Sequence, residues 1–275
     1  MMRERALAAE VATWAQKLHA AGWVANHDGN VSVRLDDGTF LITPTATSKA
    51  LVDAKDLLVV DAAGKKLQGP PDGKPFGEIG LHLTVYQNRP DVRAVVHAHP
   101  PAATGLACAG SRLLEQPIIA EAVVSLGPAI PTVPFAMPGA PACAALAPFC
   151  RDHDAVLIAN HGVMAWGGRA EQAFLRLELV EHLARIAREA QAAGGLRPIP
   201  ADAIPALLEA RRKAPGLGDA AARAGLSSAD RMPAVVACGP APPDATVTTK
   251  PPGAPRSTSG DLATIVREEI VKALR

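Results

Sequence analysis

The hydrophobic positions of the chain recur with two periods, and the change from one to the other predicts alternating helices and strands. Apolar residues spaced three and four apart, with polar residues between them, are typical of helices that cover one face of a core. Runs that alternate residue by residue, or that are short and wholly apolar, are typical of strands. The first pattern predicts helices over residues 3–21, 77–88, 101–109, 141–151, 169–193 and 201–213. The second predicts strands at 31–35, 39–43, 57–61, 94–99, 118–119, 123–124 and 155–159.

One stretch, residues 77–100, joins a predicted helix to a predicted strand and carries most of the candidate chemistry. Its helix starts beside a carboxylate, Glu78, and its strand is the apolar run 94–96 followed by His97 and His99. Side chains two residues apart point to the same face of a strand, so the two imidazoles project together. Two imidazoles on a rigid strand can bind a metal ion. The alternative is a polar pair on an exposed strand face, which the apolar run before the histidines argues against.

A third histidine, His161, follows the apolar run 155–159. A catalytic zinc ion commonly takes three protein ligands and keeps one position open for water or substrate. Together with His97 and His99, His161 would complete such a set. The other histidines lie in predicted helices or turns. Among them His82, one turn beyond the carboxylate on the same predicted helix, suits a supporting contact better than ligation.

The segment 43–49, which reads TPTATSK, is dense in hydroxyl side chains and ends in a lysine. Hydroxyls and backbone N–H groups in such a loop can bind an oxyanion. The alternative is an ordinary polar loop, and these residues alone do not decide between the two.

Composition narrows the class of protein. The 275 residues are 48% hydrophobic and 20% charged, which suffices for the core of one large domain. The formal net charge of +1 predicts no nucleic-acid surface. We find no apolar run long enough to span a bilayer and no secretory signal, and expect a cytoplasmic protein without a membrane partner. The cysteines lack CxxC spacing, and we expect reduced thiols, mostly in the core: Cys108, Cys143, Cys150 and Cys238.

Five short motifs, taken in order, resemble those of the class II aldolase/adducin family, which includes the fuculose-phosphate and rhamnulose-phosphate aldolases. The motifs are GNVSVR at 29–34, LITPT at 41–45, the carboxylate Glu78 ahead of a helix, VVHAH at 95–99 and ANHG at 159–162. The resemblance covers roughly residues 5–215. It implies an α/β fold, namely a three-layer α/β/α domain with a mixed, mostly antiparallel central sheet. It also implies a homotetramer with active sites at subunit interfaces.

The resemblance implies a role for seven residues of this chain. The implied ligands of Zn²⁺, or of another divalent metal, are His97, His99 and His161. The implied catalytic acid and base is Glu78. The implied substrate-binding residues are Asn30, Thr45 and Gly77. In this chemistry the metal acts as a Lewis acid on the ketose and stabilises an enediolate, while the carboxylate moves the proton.

We therefore expect a metal-dependent class II aldolase, a carbon–carbon lyase whose substrate is a ketose 1-phosphate such as fuculose or rhamnulose 1-phosphate. Its products would be dihydroxyacetone phosphate and an aldehyde. The same motifs leave open an epimerase, dehydratase or decarboxylase of the family that acts on a sugar phosphate or sugar acid. A non-catalytic, adducin-like assembly protein is a further alternative, against which the three histidines and Glu78 argue.

Two departures from the family pattern bear on the substrate and the proton donor. Phosphate-using members often carry paired serines before the catalytic carboxylate, where this chain has Phe76 and Gly77, and a glycine where it has Ala46. The tyrosine that donates a proton in the fuculose-phosphate aldolases is replaced by Glu121. The proton donor stays open, and a non-phosphorylated substrate is an alternative.

The composition changes towards the C-terminus, where seven prolines lie between residues 232 and 260. We predict a catalytic domain over 1–215, a flexible Pro/Gly-rich linker over 216–260 and an amphipathic helix over 261–275. A short helix on such a linker resembles the encapsulation peptides of bacterial microcompartment enzymes. The resemblance implies a shell or cargo protein as partner and a location inside a microcompartment. The alternative is a helix that docks on its own oligomer.

Overall fold

Eight strands form one sheet within residues 2–214, which are the residues that the computed structural model describes. The strands are β1 (Asn30–Arg34), β2 (Phe40–Ile42), β3 (Leu58–Val60), β4 (Lys66–Gln68), β5 (Ala94–Ala98), β6 (Thr132–Val133), β7 (Ala155–Ile158) and β8 (Gly162–Gly167). Their spatial order is β4-β3-β2-β1-β5-β8-β7-β6. Neighbouring strands are antiparallel except β6 and β7, which are parallel. The expected mixed, mostly antiparallel sheet is confirmed.

Helices cover both faces of this sheet. They are α1 (Met2–Ala20), α2 (Ile79–Asn88), α3 (Pro101–Cys108), α4 (Ala120–Leu126), α5 (Ala140–Cys150), α6 (Ala170–Ala192) and α7 (Ile204–Lys213). One hydrophobic cluster contains residues of α1, α3, α4 and α6, and a second contains residues of α2 and α5. Along β5 the side chains alternate between the two, with Val96 and Ala98 in the first and Val95 in the second. The three-layer α/β/α architecture is therefore confirmed.

The central position of β5 follows from its sequence. All five of its residues are buried, and it pairs with β1 on one side and β8 on the other. A run of small and β-branched apolar residues suits a strand that is covered on both faces. The strand ends just before His99, so the histidines stand at the edge of the core, on the face covered by α2 and α5.

The structure corrects the sequence predictions at two places. Val123 and Val124, predicted as a strand, lie in α4, and Ile118 and Ile119 precede that helix without pairing in the sheet. Two adjacent β-branched residues are a weak strand signal, and the helix-forming residues around them prevail here. The strand β4 was not predicted, because Lys66–Gln68 forms an exposed edge of the sheet and lacks apolar alternation.

A buried ion cluster joins α7 to the rest of the described domain. The carboxylate of Asp154 contacts Arg211 at 2.7 Å, Arg176 at 2.8 Å and Arg89 at 3.0 Å, and all four residues are buried. Burial opposes ionisation of this carboxyl, but the three guanidinium groups outweigh it and lower its pKa. The cluster joins β7, α6 and α7 to the end of α2.

The predictions on membrane spans and cysteines can be compared with the structure, whereas those on the C-terminal segment cannot. No helix between residues 2 and 214 is both long and apolar enough to cross a bilayer. Cys108, Cys143 and Cys150 are free thiols, as expected, although Cys108 is exposed instead of in the core. Cys238 and the predicted linker and helix over 216–260 and 261–275 lie outside the described residues.

Candidate metal centre

The three histidines named from the sequence come together at one end of β5. His97 lies in β5, His99 follows its end, and His161 lies in the turn between β7 and β8. Their ring centroids are 4.6–5.2 Å apart, and one ring nitrogen from each lies within 4.8 Å of the other two. A tetrahedral zinc ion about 2.0–2.1 Å from each nitrogen would need nitrogens about 3.3 Å apart. The donor set and its spacing therefore fit a divalent metal ion.

The turn between β7 and β8 brings His161 to the other two histidines. The His161 amide donates to the carbonyl of Ile158 at 3.1 Å, and Ile158 pairs with Gly162 across the hairpin. Asn160 takes a left-handed conformation with φ of 55°, which asparagine adopts more readily than most residues. The ANHG segment thus supplies a tight turn with an imidazole beside the end of β5.

Hydrogen bonds orient the rings of the two strand histidines. Nδ1 of His97 lies 2.9 Å from the carbonyl oxygen of Val163, so this nitrogen donates and Nε2 keeps its lone pair. Nε2 of His97 faces Nε2 of His99 at 3.1 Å, while Nδ1 of His99 lies 3.5 Å from Oδ2 of Asp28. Metal-binding histidines usually donate their other N–H to a carbonyl or a carboxylate, and both rings have this arrangement.

Burial also keeps these rings in the form that binds metals. It lowers the pKa of His97 to about 4, and it lowers the pKa of His99 as well. Both imidazoles are therefore neutral near pH 7, and neutral imidazole is the form that coordinates a metal.

Glu78 lies next to the histidine cluster, at the residue that precedes α2. Its Oε1 is 2.6 Å from Nε2 of His161, and its Oε2 is 3.5 Å from Nε2 of His97. Asn30 donates from Nδ2 to Oε2 of Glu78 at 2.8 Å. Burial opposes ionisation of Glu78, but the two imidazoles and the amide outweigh it and lower the pKa of the carboxyl. An ionised carboxylate thus stands beside the candidate metal position.

The three predicted substrate-binding residues occupy different places. Asn30 is buried, and both ends of its amide are engaged, Nδ2 by Glu78 and Oδ1 by His82. Gly77 adjoins Glu78, and a Cβ added there would meet nothing within 4 Å. Thr45 is exposed, and its backbone amide donates to the carbonyl of Lys74, in the segment that leads to Gly77.

The structure gives a physical account of the departures from the family pattern. Phe76 is buried in the second core cluster and packs edge-on against His82, with ring centroids 5.0 Å apart. An aromatic ring that belongs to the core thus stands where phosphate-using members often have a serine hydroxyl. Ala46 has a φ of 54°, a left-handed conformation that glycine adopts at lower cost. Glu121 is exposed in the first turn of α4, which packs on the opposite sheet face from α2.

Several contributors to this site were not predicted from the sequence. Asp28 contacts His99, while Ser32 and Tyr86 extend the contacts of His82. The lysine of the 43–49 loop, Lys49, is buried, and its Nζ donates to the carbonyls of His27 and Thr47 at 3.1 and 3.0 Å. This residue joins two loops instead of projecting into solvent. Among these residues only Tyr86 could have been found from the sequence, because it lies eight residues after Glu78 and therefore near the same face of the predicted helix.

A cavity of about 380 Å³ opens beside Glu78 and His161. Apart from these two side chains and Asn160, its walls are apolar side chains and glycines, and Cys143 contributes a thiol. Its volume falls within the range typical of small-molecule sites. The apolar part of the wall is formed by Leu81, Val133, Pro134, Phe135, Ala136, Pro138, Ala142, Leu146, Ile158 and Ala159.

Comparisons with known proteins show what this chain is similar to in sequence and in fold. The profile of the Class II Aldolase and Adducin N-terminal domain matches residues 9–188. The 3-oxo-tetronate 4-phosphate decarboxylase of Escherichia coli O6:H1 is 33% identical over 187 residues, which are 66% of this chain and 86% of that protein. The L-fuculose phosphate aldolase of Haemophilus influenzae is 38% identical over 160 residues, 57% of this chain and 70% of that protein. The crystal structure of YgbL from Escherichia coli superposes with a TM-score of 0.68 at 30% identity, covering 74% of this chain and 98% of YgbL.

Proposed function

Because this chain belongs to the class II aldolase and adducin family, we propose that it is a metal-dependent carbon–carbon lyase that acts on a phosphorylated sugar derivative. The first candidate reaction is aldol cleavage of a ketose 1-phosphate to dihydroxyacetone phosphate and an aldehyde. One observation carries the proposal, namely the ionised carboxylate of Glu78 at 2.6 Å from His161 in a cluster of three histidines. A base beside a Lewis-acid site is what cleavage next to a carbonyl requires.

In this proposal His97, His99 and His161 hold a divalent cation, with Zn²⁺ the first candidate because the donors are three neutral imidazoles. A divalent cation bound there would polarise the substrate carbonyl and an adjacent hydroxyl. The carbonyl of Val163 and the carboxylate of Asp28 keep two of the rings in the orientation that this binding needs.

Glu78 would balance the protons of the aldol cleavage. It accepts the proton of the hydroxyl whose carbon becomes the aldehyde, as the carbon–carbon bond breaks and its electron pair stays beside the ketone. It then returns the proton to the carbon next to the ketone, which kept the electron pair, and this yields dihydroxyacetone phosphate. The lowered pKa of Glu78 keeps the carboxylate ionised, which is the form that can accept a proton, and the Asn30 amide holds one of its oxygens. The 380 Å³ cavity beside Glu78 would accommodate the aldehyde portion.

A second candidate reaction is decarboxylation of a 3-oxo sugar acid phosphate, which the likeness to the Escherichia coli decarboxylase favours. In a 3-oxo-tetronate 4-phosphate the bond between the carboxylate and the carbon next to the ketone breaks, and carbon dioxide leaves. The electron pair again stays beside the ketone, and protonation of that carbon again yields dihydroxyacetone phosphate. The two reactions thus share their phosphorylated product and the final protonation.

The shared product allows one experiment to test the proposal and separate its candidates. Purified protein would receive fuculose 1-phosphate, rhamnulose 1-phosphate and 3-oxo-tetronate 4-phosphate in turn, and dihydroxyacetone phosphate would be followed with a coupled dehydrogenase. Aldehyde release with the ketose phosphates would establish the aldolase, and carbon dioxide release with the keto acid would establish the decarboxylase. Absence of dihydroxyacetone phosphate from all three substrates, with metal bound, would contradict both candidates.

The anionic end of the substrate is proposed to lie near Gly77 and the 43–49 loop. Gly77 leaves open space before α2, and the Thr45 backbone approaches the same segment from the loop. Backbone N–H groups of such loops can bind phosphate oxygens without the serine hydroxyls that Phe76 and Gly77 replace. The proposal predicts that phosphorylated substrates have a lower KM than their non-phosphorylated counterparts.

The assembly and the C-terminal segment remain proposals that rest on the sequence. We propose a homotetramer, and we propose that the amphipathic segment 261–275 binds a microcompartment shell or a cargo protein. Deletion of residues 232–275 tests the second idea, with size-exclusion chromatography as a control for assembly. If the truncated protein still co-purifies with shells, the targeting proposal fails.

A further inference from the structure

Behind Glu78 a chain of polar side chains runs through the interior between α2 and β1. Glu78, His82 and Tyr86 are spaced four residues apart, and Asn30 and Ser32 face them two residues apart on β1. The successive contacts are Tyr86 hydroxyl to Ser32 Oγ at 2.8 Å, Ser32 Oγ to His82 Nδ1 at 2.7 Å, His82 Nε2 to Asn30 Oδ1 at 2.6 Å, and Asn30 Nδ2 to Glu78 Oε2 at 2.8 Å. The four residues behind the carboxylate are buried.

We propose that His82 is a positioning residue for Glu78, acting through Asn30. In this inference His82, fixed by Ser32 and Tyr86, holds the Asn30 amide with its NH₂ group towards the carboxylate. The inference rests on the proposed function of Glu78 as the proton-transfer group. It gives a role to a buried histidine that is neither a candidate metal ligand nor a part of the cavity wall.

The direction of the hydrogen bonds along this row of side chains follows from the ionised carboxylate at its end. An ionised carboxylate only accepts hydrogen bonds, so Asn30 must turn its NH₂ group to Glu78 and its oxygen to His82. Nε2 of His82 must then carry the hydrogen. A neutral His82 therefore accepts at Nδ1 from the Ser32 hydroxyl, and the single hydrogen of the Tyr86 hydroxyl is shared between Ser32 Oγ at 2.8 Å and the Ser32 carbonyl oxygen at 2.9 Å. Each contact from Glu78 to Ser32 has one donor and one acceptor under this assignment.

The charge state of His82 supports the assignment. Burial, with a smaller contribution from nearby His97, lowers the pKa of His82 to about 3. The ring is therefore neutral at physiological pH, and one nitrogen donates while the other accepts.

The arrangement would matter for catalysis because an amide has two similar ends. If His82 did not donate to its oxygen, the Asn30 amide could rotate and present that oxygen to Glu78. Two acceptors would then face each other at 2.8 Å, and the carboxylate would turn away from His161. Supporting residues of this kind typically change activity about 10–100-fold when they are removed.

Two conservative variants separate positioning from packing. The Nε2 of glutamine can reach the place of the histidine Nε2, so His82→Gln keeps the donor to Asn30. The shorter asparagine reaches only the place of Nδ1, so His82→Asn keeps the contact with Ser32 and loses the donor. We expect kcat close to wild type for His82→Gln and about 10–100-fold lower for His82→Asn, with KM and metal content unchanged in both.

A core variant of the same helix, Val85→Ala, controls for loss of stability, because Val85 is buried in the second core cluster and lies outside the chain of contacts. Its kcat should equal that of the wild type at temperatures where it stays folded. Equal kcat values for His82→Asn and His82→Gln would overturn the inference. A rise in KM with unchanged kcat would also overturn it, since the residue would then act on substrate binding.

A readout that does not depend on activity separates this inference from the proposed function. In protein with ¹⁵N-labelled histidine, NMR distinguishes the two neutral tautomers and the imidazolium form. We expect His82 to be neutral at pH 7 with the hydrogen on Nε2, and we expect the same tautomer if every substrate fails. A hydrogen on Nδ1, or an imidazolium, would overturn the inference even in an active enzyme.

Discussion

Gly162 lies so close to His99 that a Cβ atom added to it would approach Cδ2 of the imidazole to 2.5 Å. The same atom would lie 2.5 Å from the carbonyl oxygen of Ala98 and 3.3 Å from Cε1 of His97. The added atom could be accommodated only if the Ala98 carbonyl or one of the two imidazoles moved, and either movement would displace a candidate metal ligand. The glycine of the ANHG segment is therefore required by the close approach of β8 to the histidines.

The substitution Gly162→Ala should weaken metal binding while the domain still folds. The added methyl group displaces His99, and a disturbed ligand or support costs about 10–100-fold in metal affinity. Competition with a chromophoric chelator would measure the change. Gly168→Ala is the matched control, since its added Cβ has its nearest contact at 3.7 Å, with Gln172, and should leave the affinity unchanged. Equal affinities in both variants would contradict the role given to Gly162.

The substitution Glu78→Gln should keep the metal and lose most turnover. Glutamine has the same shape, and its amide oxygen can still accept from Asn30, but it cannot take up a proton at neutral pH. Removal of a general base costs about 10²–10⁴-fold in kcat. His97→Ala, measured beside it, should lose both metal and turnover. Turnover near that of the wild type in Glu78→Gln would contradict the mechanism.

Removal of the Asp154 carboxylate should strongly destabilise the domain. Asp154→Ala leaves the buried guanidinium groups of Arg89, Arg176 and Arg211 without their shared counter-ion. Loss of one partner from a buried ion cluster costs about 3–5 kcal/mol in the free energy of unfolding, which urea titration would measure. The exposed Glu209, paired with Arg212 at 2.6 Å, is the control, and its removal should cause no measurable change. Similar effects of both substitutions would contradict this account.

The same carboxylate predicts a pH dependence of stability. The pKa of Asp154 is lowered in the folded state, because the three guanidinium groups outweigh the effect of burial. Its contribution is therefore complete above the unfolded pKa of about 4, and is lost as pH falls through the lower folded pKa. The difference in unfolding free energy between wild type and Asp154→Asn should be constant from pH 5 to 7 and should shrink below about pH 4. A difference that grows on acidification would contradict the assignment.

The sequence predicted the parts of the site that depend on local periodicity. The period of two along β5 places His97 and His99 together, and the apolar run before His161 marks it as a residue at a strand end. Their meeting depends on the pairing of β5 with β8, which is a long-range contact. The family resemblance supplied that long-range information through the order of its motifs.

Other features of the site depend on tertiary packing and were not predicted. Asn30 was predicted to bind substrate, but its amide is engaged by Glu78 and His82, which come from another element. That role for Asn30 therefore stays a prediction. Likewise nothing local shows that Lys49 turns inward to the His27 carbonyl. The strand predicted at 123–124 was wrong because the prediction relied on a local signal, a pair of valines, which in the structure lies in α4.

The most direct test of the account is metal content and turnover in one sample, before and after chelation. We expect about one divalent ion per subunit in the purified protein. We expect release of dihydroxyacetone phosphate from a sugar phosphate to stop when the metal is removed and to return when Zn²⁺ is added. Protein that binds no metal, or that turns over equally well without it, would contradict the metal-dependent lyase proposed for Glu78 and the histidines.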